Sequence, residues 1–295
     1  MSARRGGGTE PQLEQLSGAK KSDGFTLAGA THVALPKDNR KVAFTLAEVL
    51  IILGIIGVVA ALTIPGLISK YNEMVTIVAL KKTYSELSQA IKMSEVQNGD
   101  LKDWEWPDDT SGTNTFVKKY ILPYLSKNVK QCPFGHPCFK ESWYWKFPDK
   151  RYNTAGNWQV AYSRYKYNDK TIAFMAVSTP CTSAENGYHT CSDRLRYLGI
   201  VVDVNGDRGE SIMGKDVFGF TLFNYTFKTK SGPSGDNYGL QLGSIAGNWG
   251  AYRQPLENMF KGNPGTCKMD GDGYDCGLAI QKNSWKIPEQ YPIKF

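Results

Sequence analysis

Histidine is scarce in this 295-residue chain, with three in all, at positions 32, 136 and 189. No H-E-x-x-H pair, no G-x-S-x-G elbow and no G-x-x-x-x-G-K-[ST] loop is present. Those absences remove the zinc-hydrolase, serine-hydrolase and phosphate-loop chemistries that such spacings mark. The Asp and Glu residues are scattered without the spacing of an acid/base pair, so the chain is not expected to be an enzyme. A strong charge of one sign is lacking too. The 35 basic and 28 acidic residues leave +7, and seven basic and four acidic residues fall in the first 43. The remaining 252 residues carry +4, too little for a dedicated nucleic-acid binder. Internal repeats are absent apart from the phrase FTLA, at 25–28 and again at 44–47. Aromatics, by contrast, make up 12% of the chain, with 16 Tyr and 7 Trp, which excludes a disordered chain. The length suits one large or two small domains.

Charge disappears altogether from Val49 to Ser69, 21 nearly all apolar residues. About 20 such residues cross a bilayer, so membrane lipid is an expected partner. A secretory signal has a shorter apolar core followed by a small-residue cleavage site; here Pro65, Gly66 and an amphipathic stretch follow instead. Lys37, Arg40 and Lys41 precede the run and place the N-terminal side in the cytoplasm, with the bulk of the chain outside. No cysteine precedes the run. All six lie beyond it, as the close pairs Cys132/Cys138, Cys181/Cys191 and Cys267/Cys276. An even count in an exported domain reads as disulfides. Fifteen connectivities are open, neighbour pairing being the simplest. A metal site built on Cys132, His136 and Cys138, with His189 near Cys191, is the rival, although its spacing matches no zinc pattern.

One acid, Glu48, stands at the edge of the uncharged run. A carboxylate there costs free energy unless it is paired, and by default it marks function; taken alone it also fits the headgroup region. The pattern Ala43-Phe44-Thr45-Leu46-Ala47-Glu48, with basic residues upstream and the apolar run downstream, resembles the N-terminus of type IV prepilins and of type II secretion pseudopilins. The resemblance implies cutting between Ala43 and Phe44 by a membrane-embedded prepilin peptidase, and methylation of the new amine. It implies that Glu48 pairs with the amino terminus of a neighbouring subunit, a desolvated pair that would fix register. Pro65, 21 residues after Phe44, matches the family's helix-bending proline. Gly57, 13 residues after Phe44, begins the segment that loosens in filaments. Ala43 departs from the family's preferred Gly. The first FTLA copy has Gly24 before Phe25, but Gly29 stands where the acid belongs, and Pro36, Lys37 and Asp38 interrupt any helix. The implied partners are other pilin or pseudopilin subunits in a helical filament, the peptidase and an inner-membrane assembly platform. The implied location is the bacterial inner membrane, then a pilus or pseudopilus. A single-pass anchored adhesin or binding domain that never polymerises is the alternative.

The expected organisation is a leader at 1–43, a spanning or filament-core helix at 44–68, its amphipathic continuation at 69–99, and a globular head at 100–295. Ile77, Leu80, Tyr84, Leu87 and Ile91 recur at spacings of three and four, an apolar stripe for packing on the head. Asn98-Gly99-Asp100 is a stop signal. A short helix is expected over 116–125. Strands are expected over 158–167, 171–178, 195–204 and 217–228, with a turn at 168–170, and a loop-like tail from Gly247. The fold class is α+β, a long N-terminal helix packed on an antiparallel sheet and stapled by disulfides. In the head, Asp203, Asn205 and Asp207 alternate as calcium ligands do. The EF-hand pattern is incomplete, and a strand-connecting turn around Asn205-Gly206 is the favoured reading. Asp270-Gly-Asp-Gly-Tyr-Asp275 is equally ambiguous. No other cofactor is expected. Arg164, Lys166 and Lys170 interleave with Tyr162, Tyr165 and Tyr167, a pattern that suits single-stranded DNA but more often makes one solvated strand face.

Overall fold

The computed structural model describes residues 45–125, 128–132, 145–151, 163–180, 194–206, 208–224, 239–243, 255–261 and 267–295. The chain divides into two units, Met1–Gly54 and Ile55–Phe295. Of the first, only the opening of a long helix is described, and every residue from 45 to 54 is exposed.

That helix, α1, is assigned over Leu46–Asn98 and runs through Pro65 without a break. Its apolar stretch has a mean hydropathy of 2.6 and is long enough to cross a membrane. In the second unit the helix changes character. Leu80, Thr83, Leu87, Ala90, Ile91 and Ser94 are buried, while Ile77 and Tyr84 are partly buried against the same core. The stripe read from the sequence is therefore the face that packs on the sheet. Gly99, at φ +84°, takes the left-handed conformation that ends a helix, and its amide donates to the Glu95 carbonyl at 3.0 Å.

Helix α2 (Thr113–Tyr120) follows, then a short 3-10 turn at Leu122–Tyr124. Pro123 has no N–H to continue the α-helix, so the expected 116–125 helix stops early. Trp104 stacks on Tyr120 with ring centroids 4.6 Å apart, and Trp106 and Phe116 complete the aromatic cluster. Six strands form one antiparallel meander in sequence order: β1 (Val129–Gln131), β2 (Ser163–Tyr167), β3 (Lys170–Pro180), β4 (Arg194–Asp203), β5 (Val217–Phe223) and β6 (Gly239–Leu242). The register pairs Tyr167 with Lys170 across a two-residue turn, Ile172 with Val202, and Ile200 with Phe220.

Alternation decides the core. Ile172, Phe174, Leu198, Ile200, Val202, Phe218, Phe220 and Leu222 face the same cluster as α1 and α2. Ala173, Met175, Val201 and Val217 face the opposite side, covered by Trp145, Met213 and Tyr274. The central strands are thus buried on both faces, which is why 171–178 reads as an unbroken apolar run rather than an alternating one.

Two further features differ from the expectation. The edge strands β1 and β6, three and four residues long, were not foreseen, being too short to show a period. The tail expected to be loop-like contains helix α3 (Cys276–Lys282), whose first five residues are all buried. Five buried residues in a row, with only Gln281 and Lys282 reaching water, leave no periodic stripe to betray it. Its Gly277 lies so close to β6 that an added Cβ would come within 2.7 Å of Leu242. Within the expected strand ranges, residues 158–162 and 225–228 lie outside the described residues.

Candidate functional site

At the start of α1, Glu48 folds back on Thr45. The Thr45 amide and hydroxyl each donate to Glu48 Oε2 at 2.8 Å, and the Glu48 amide donates to Thr45 Oγ1 at 3.2 Å. This is a reciprocal capping box. Its signal, Thr-x-x-Glu, is legible in the sequence. Ala43 and Phe44 lie outside the described residues, as does the first FTLA copy. A Cβ built on Gly57 meets nothing within 4 Å, so no intrachain contact requires glycine there. Pro65 sits inside the helix. Large side chains including Leu50, Ile51, Leu53, Ile55, Ile56, Val58, Leu62 and Leu67 are all exposed by half or more. The described chain covers none of this surface.

The connection from β4 to β5 carries the candidate calcium residues. Asp203 is fully buried. Its Oδ1 accepts from the amides of Asn205 at 2.9 Å and Gly206 at 3.0 Å, and its Oδ2 accepts from the Ser211 hydroxyl. Asn205 donates through its side chain to the Arg208 carbonyl. Both side chains are thus engaged in building the turn. Asp207 lies outside the described residues. Gly206 has φ +64°, and a Cβ there would approach the Asp169 carbonyl oxygen to 1.9 Å. Glycine is obligatory where the β2–β3 and β4–β5 turns touch. Asp270 binds Lys268, and Asp275 is buried ahead of α3. Among the described residues no group of three His, Cys, Asp or Glu is placed to hold a metal ion.

Sequence reasoning missed Asp216. It is 9% exposed. Its carboxyl is pushed up to about 7, first by burial and then by the neighbouring Asp203, with Lys215 and the Ile212 amide opposing. Glu210 also raises it slightly, although Glu210 itself is held low by its 2.7 Å bond to Lys146. Tyr291, whose hydroxyl donates to the Gly214 carbonyl, is raised well above its usual range by burial and by Asp216. Asp216, Arg208 and Glu210 line one side of a groove of about 1280 Å³; residues 71–82 of α1 line the other. Lys170 Nζ reaches Glu86 at 3.2 Å and ties the β2–β3 turn to α1.

Cys267 and Cys276 form a disulfide, as neighbour pairing anticipated. Cys132 is disulfide-bonded as well, with a partner outside the described residues, where Cys138, Cys181 and Cys191 all lie. Along β2, Tyr165 and Tyr167 are core residues, exposed by 1% and 2%. Their rings are not available for bases to stack on. Tyr162 lies outside the described residues.

Residues 66–295 match the profile of a family of unknown function (DUF6613). No curated protein and no solved structure matches the chain.

Proposed function

We propose that this chain, which belongs to the DUF6613 family, is an exported subunit of a type IV pilus or type II secretion pseudopilus. Processing falls between Ala43 and Phe44, the helix of 44–68 anchors the subunit in the inner membrane, and Glu48 meets the amino terminus of the next subunit. The observation that carries this reading is the apolar surface of α1. Fourteen Leu, Ile and Val side chains between Leu46 and Ile68 are exposed, so bilayer or partner helices must cover them. Glu48 alone breaks that surface at its start. The Cys267–Cys276 disulfide agrees with a head outside the cytoplasm. The test is mass spectrometry of the native protein. A chain beginning at N-methylated Phe44 supports the proposal; a chain that retains its leader in cells containing the peptidase sinks it.

The capping box favours a second reading, an anchored adhesin or binding domain that stays monomeric. Glu48 already has hydrogen-bond donors within its own chain, the Thr45 amide and hydroxyl. Replacing Glu48 by Gln separates the two. Gln keeps a capping box but removes the charge, so filament incorporation is lost under the first reading and localisation is unchanged under the second.

A further inference from the structure

Beyond Ser69, the described large apolar side chains left exposed are Tyr71, Met74, Val75, Val78, Met93, Val96 and Met269. Five of these seven, all but Met93 and Val96, line the single groove between residues 71–82 of α1 and the head. Exposed apolar surface concentrated in this way marks an interaction site. The groove starts where the uncharged run stops: Lys70 is the first charge after that run, and Tyr71 is the first groove residue. Tyr at that point suits the membrane–water interface. Met74 is five residues past Ser69, on the order of 8 Å along the helix, at the outer edge of the headgroup layer.

The rim is basic. Lys150 and Lys294 are exposed and Lys215 half-buried, and among the described residues none of the three closes an ion pair. The acids of the groove have closer partners than these lysines, although Lys150 and Lys215 lie near enough to Glu210 to help hold its carboxyl low. Asp169 faces Arg208 at 3.6 Å, Glu210 binds Lys146, and Asp216 is buried. Apolar walls continuous with a spanning helix, under a rim of ammonium groups that close no ion pair within 4 Å among the described residues, fit one chemistry.

We propose that this groove holds an anionic phospholipid drawn from the membrane that α1 is long and apolar enough to cross. Tyr71, Met74, Val75, Val78 and Met269 contact its upper acyl chain, and Lys150, Lys215 and Lys294 hold its phosphate. The inference rests on the membrane-spanning helix and not on filament assembly, so it stands or falls separately from the processing of Phe44.

The test is native mass spectrometry of the full chain released from detergent micelles carrying either dioleoyl phosphatidylglycerol or dioleoyl phosphatidylcholine. The expected result is preferential retention of phosphatidylglycerol, weakened about tenfold or more when Lys150, Lys215 and Lys294 are all changed to Glu. A second variant, with Lys92, Lys118 and Lys261 changed to Glu, alters net charge equally outside the groove and should retain the lipid as the wild type does. Val78→Asp should also weaken retention, while far-ultraviolet circular dichroism stays unchanged. Equal retention of the two lipids overturns the proposal. So does an equal loss in the control variant, displacement of the lipid by millimolar inorganic phosphate, or a groove closed by a second copy of the chain in lipid-free micelles.

Discussion

Gly206 and Asp216 are three-dimensional facts carried by single residues. At Gly206 a methyl group would collide with the Asp169 carbonyl in a backbone conformation that already disfavours side chains. Gly206→Ala is expected to cost about 2–4 kcal/mol, read as a lowered urea midpoint of the detergent-solubilised chain. Asp216 predicts a pH dependence. An unfolded Asp releases its proton near pH 3.9, whereas Asp216 keeps it to about 7. The folded state therefore has the full benefit of this group below about pH 4, loses it as pH rises to about 7, and loses no more beyond. Between pH 5 and pH 8 the loss should be about 2–3 kcal/mol. Asp216→Asn should flatten that dependence and stabilise the chain more at pH 8 than at pH 5. A slope of the same size in the variant would show that another group is responsible. The turn glycine was legible in the sequence as Asn205-Gly206. Asp216 was not, because only the packing of Tyr291 and the β4–β5 turn removes it from water.

At the scale of elements, the two halves of α1 obey different rules. Leu87 is 1% exposed and packs in the main core, so Leu87→Ala should destabilise the head by about 2–5 kcal/mol. Leu62, 78% exposed, should leave head stability within about 0.5 kcal/mol when changed to Ala, yet matter for membrane retention or assembly. Urea denaturation and membrane fractionation of the same pair of variants read out both effects. The tail element α3 depends on its staple. The Cys267–Cys276 disulfide joins residues nine positions apart, and changing both to Ala should cost about 2–3 kcal/mol, measured as a drop in Tm. A periodic stripe such as Leu80, Leu87 and Ile91 shows itself in sequence because one face is wet. Helix α3 is seven residues long with its first five all buried, and β6 is four residues long, so neither leaves a pattern to read.

For the whole molecule, the division of labour is between a helix that needs a hydrophobic medium and a head that makes its own core. A fragment of residues 70–295 retains Leu80, Leu87, Ile91 and the entire sheet, and is expected to fold without detergent with its disulfides intact. The full chain should partition into membranes and resist extraction by high salt, because its anchorage is apolar and not electrostatic. Recovery of the full chain in the soluble fraction after a salt wash would contradict the spanning reading of α1.

The sequence by itself determined the long apolar helix, its amphipathic continuation, the antiparallel strands and the turn at Asn205-Gly206. Each of these depends on near-neighbour spacing, and spacing is written along the chain. Tertiary structure alone decided that the tyrosines of β2 belong to the core, that Asp203 spends its oxygens on a turn, and that Asp216 lies buried beside it. It also brought Tyr71, Met74, Val75 and Val78 to one groove with Lys150, Lys215 and Lys294. Those residues are separated by as many as 223 positions, and what joins them is the packing of α1 across the sheet, a long-range contact that no local period encodes.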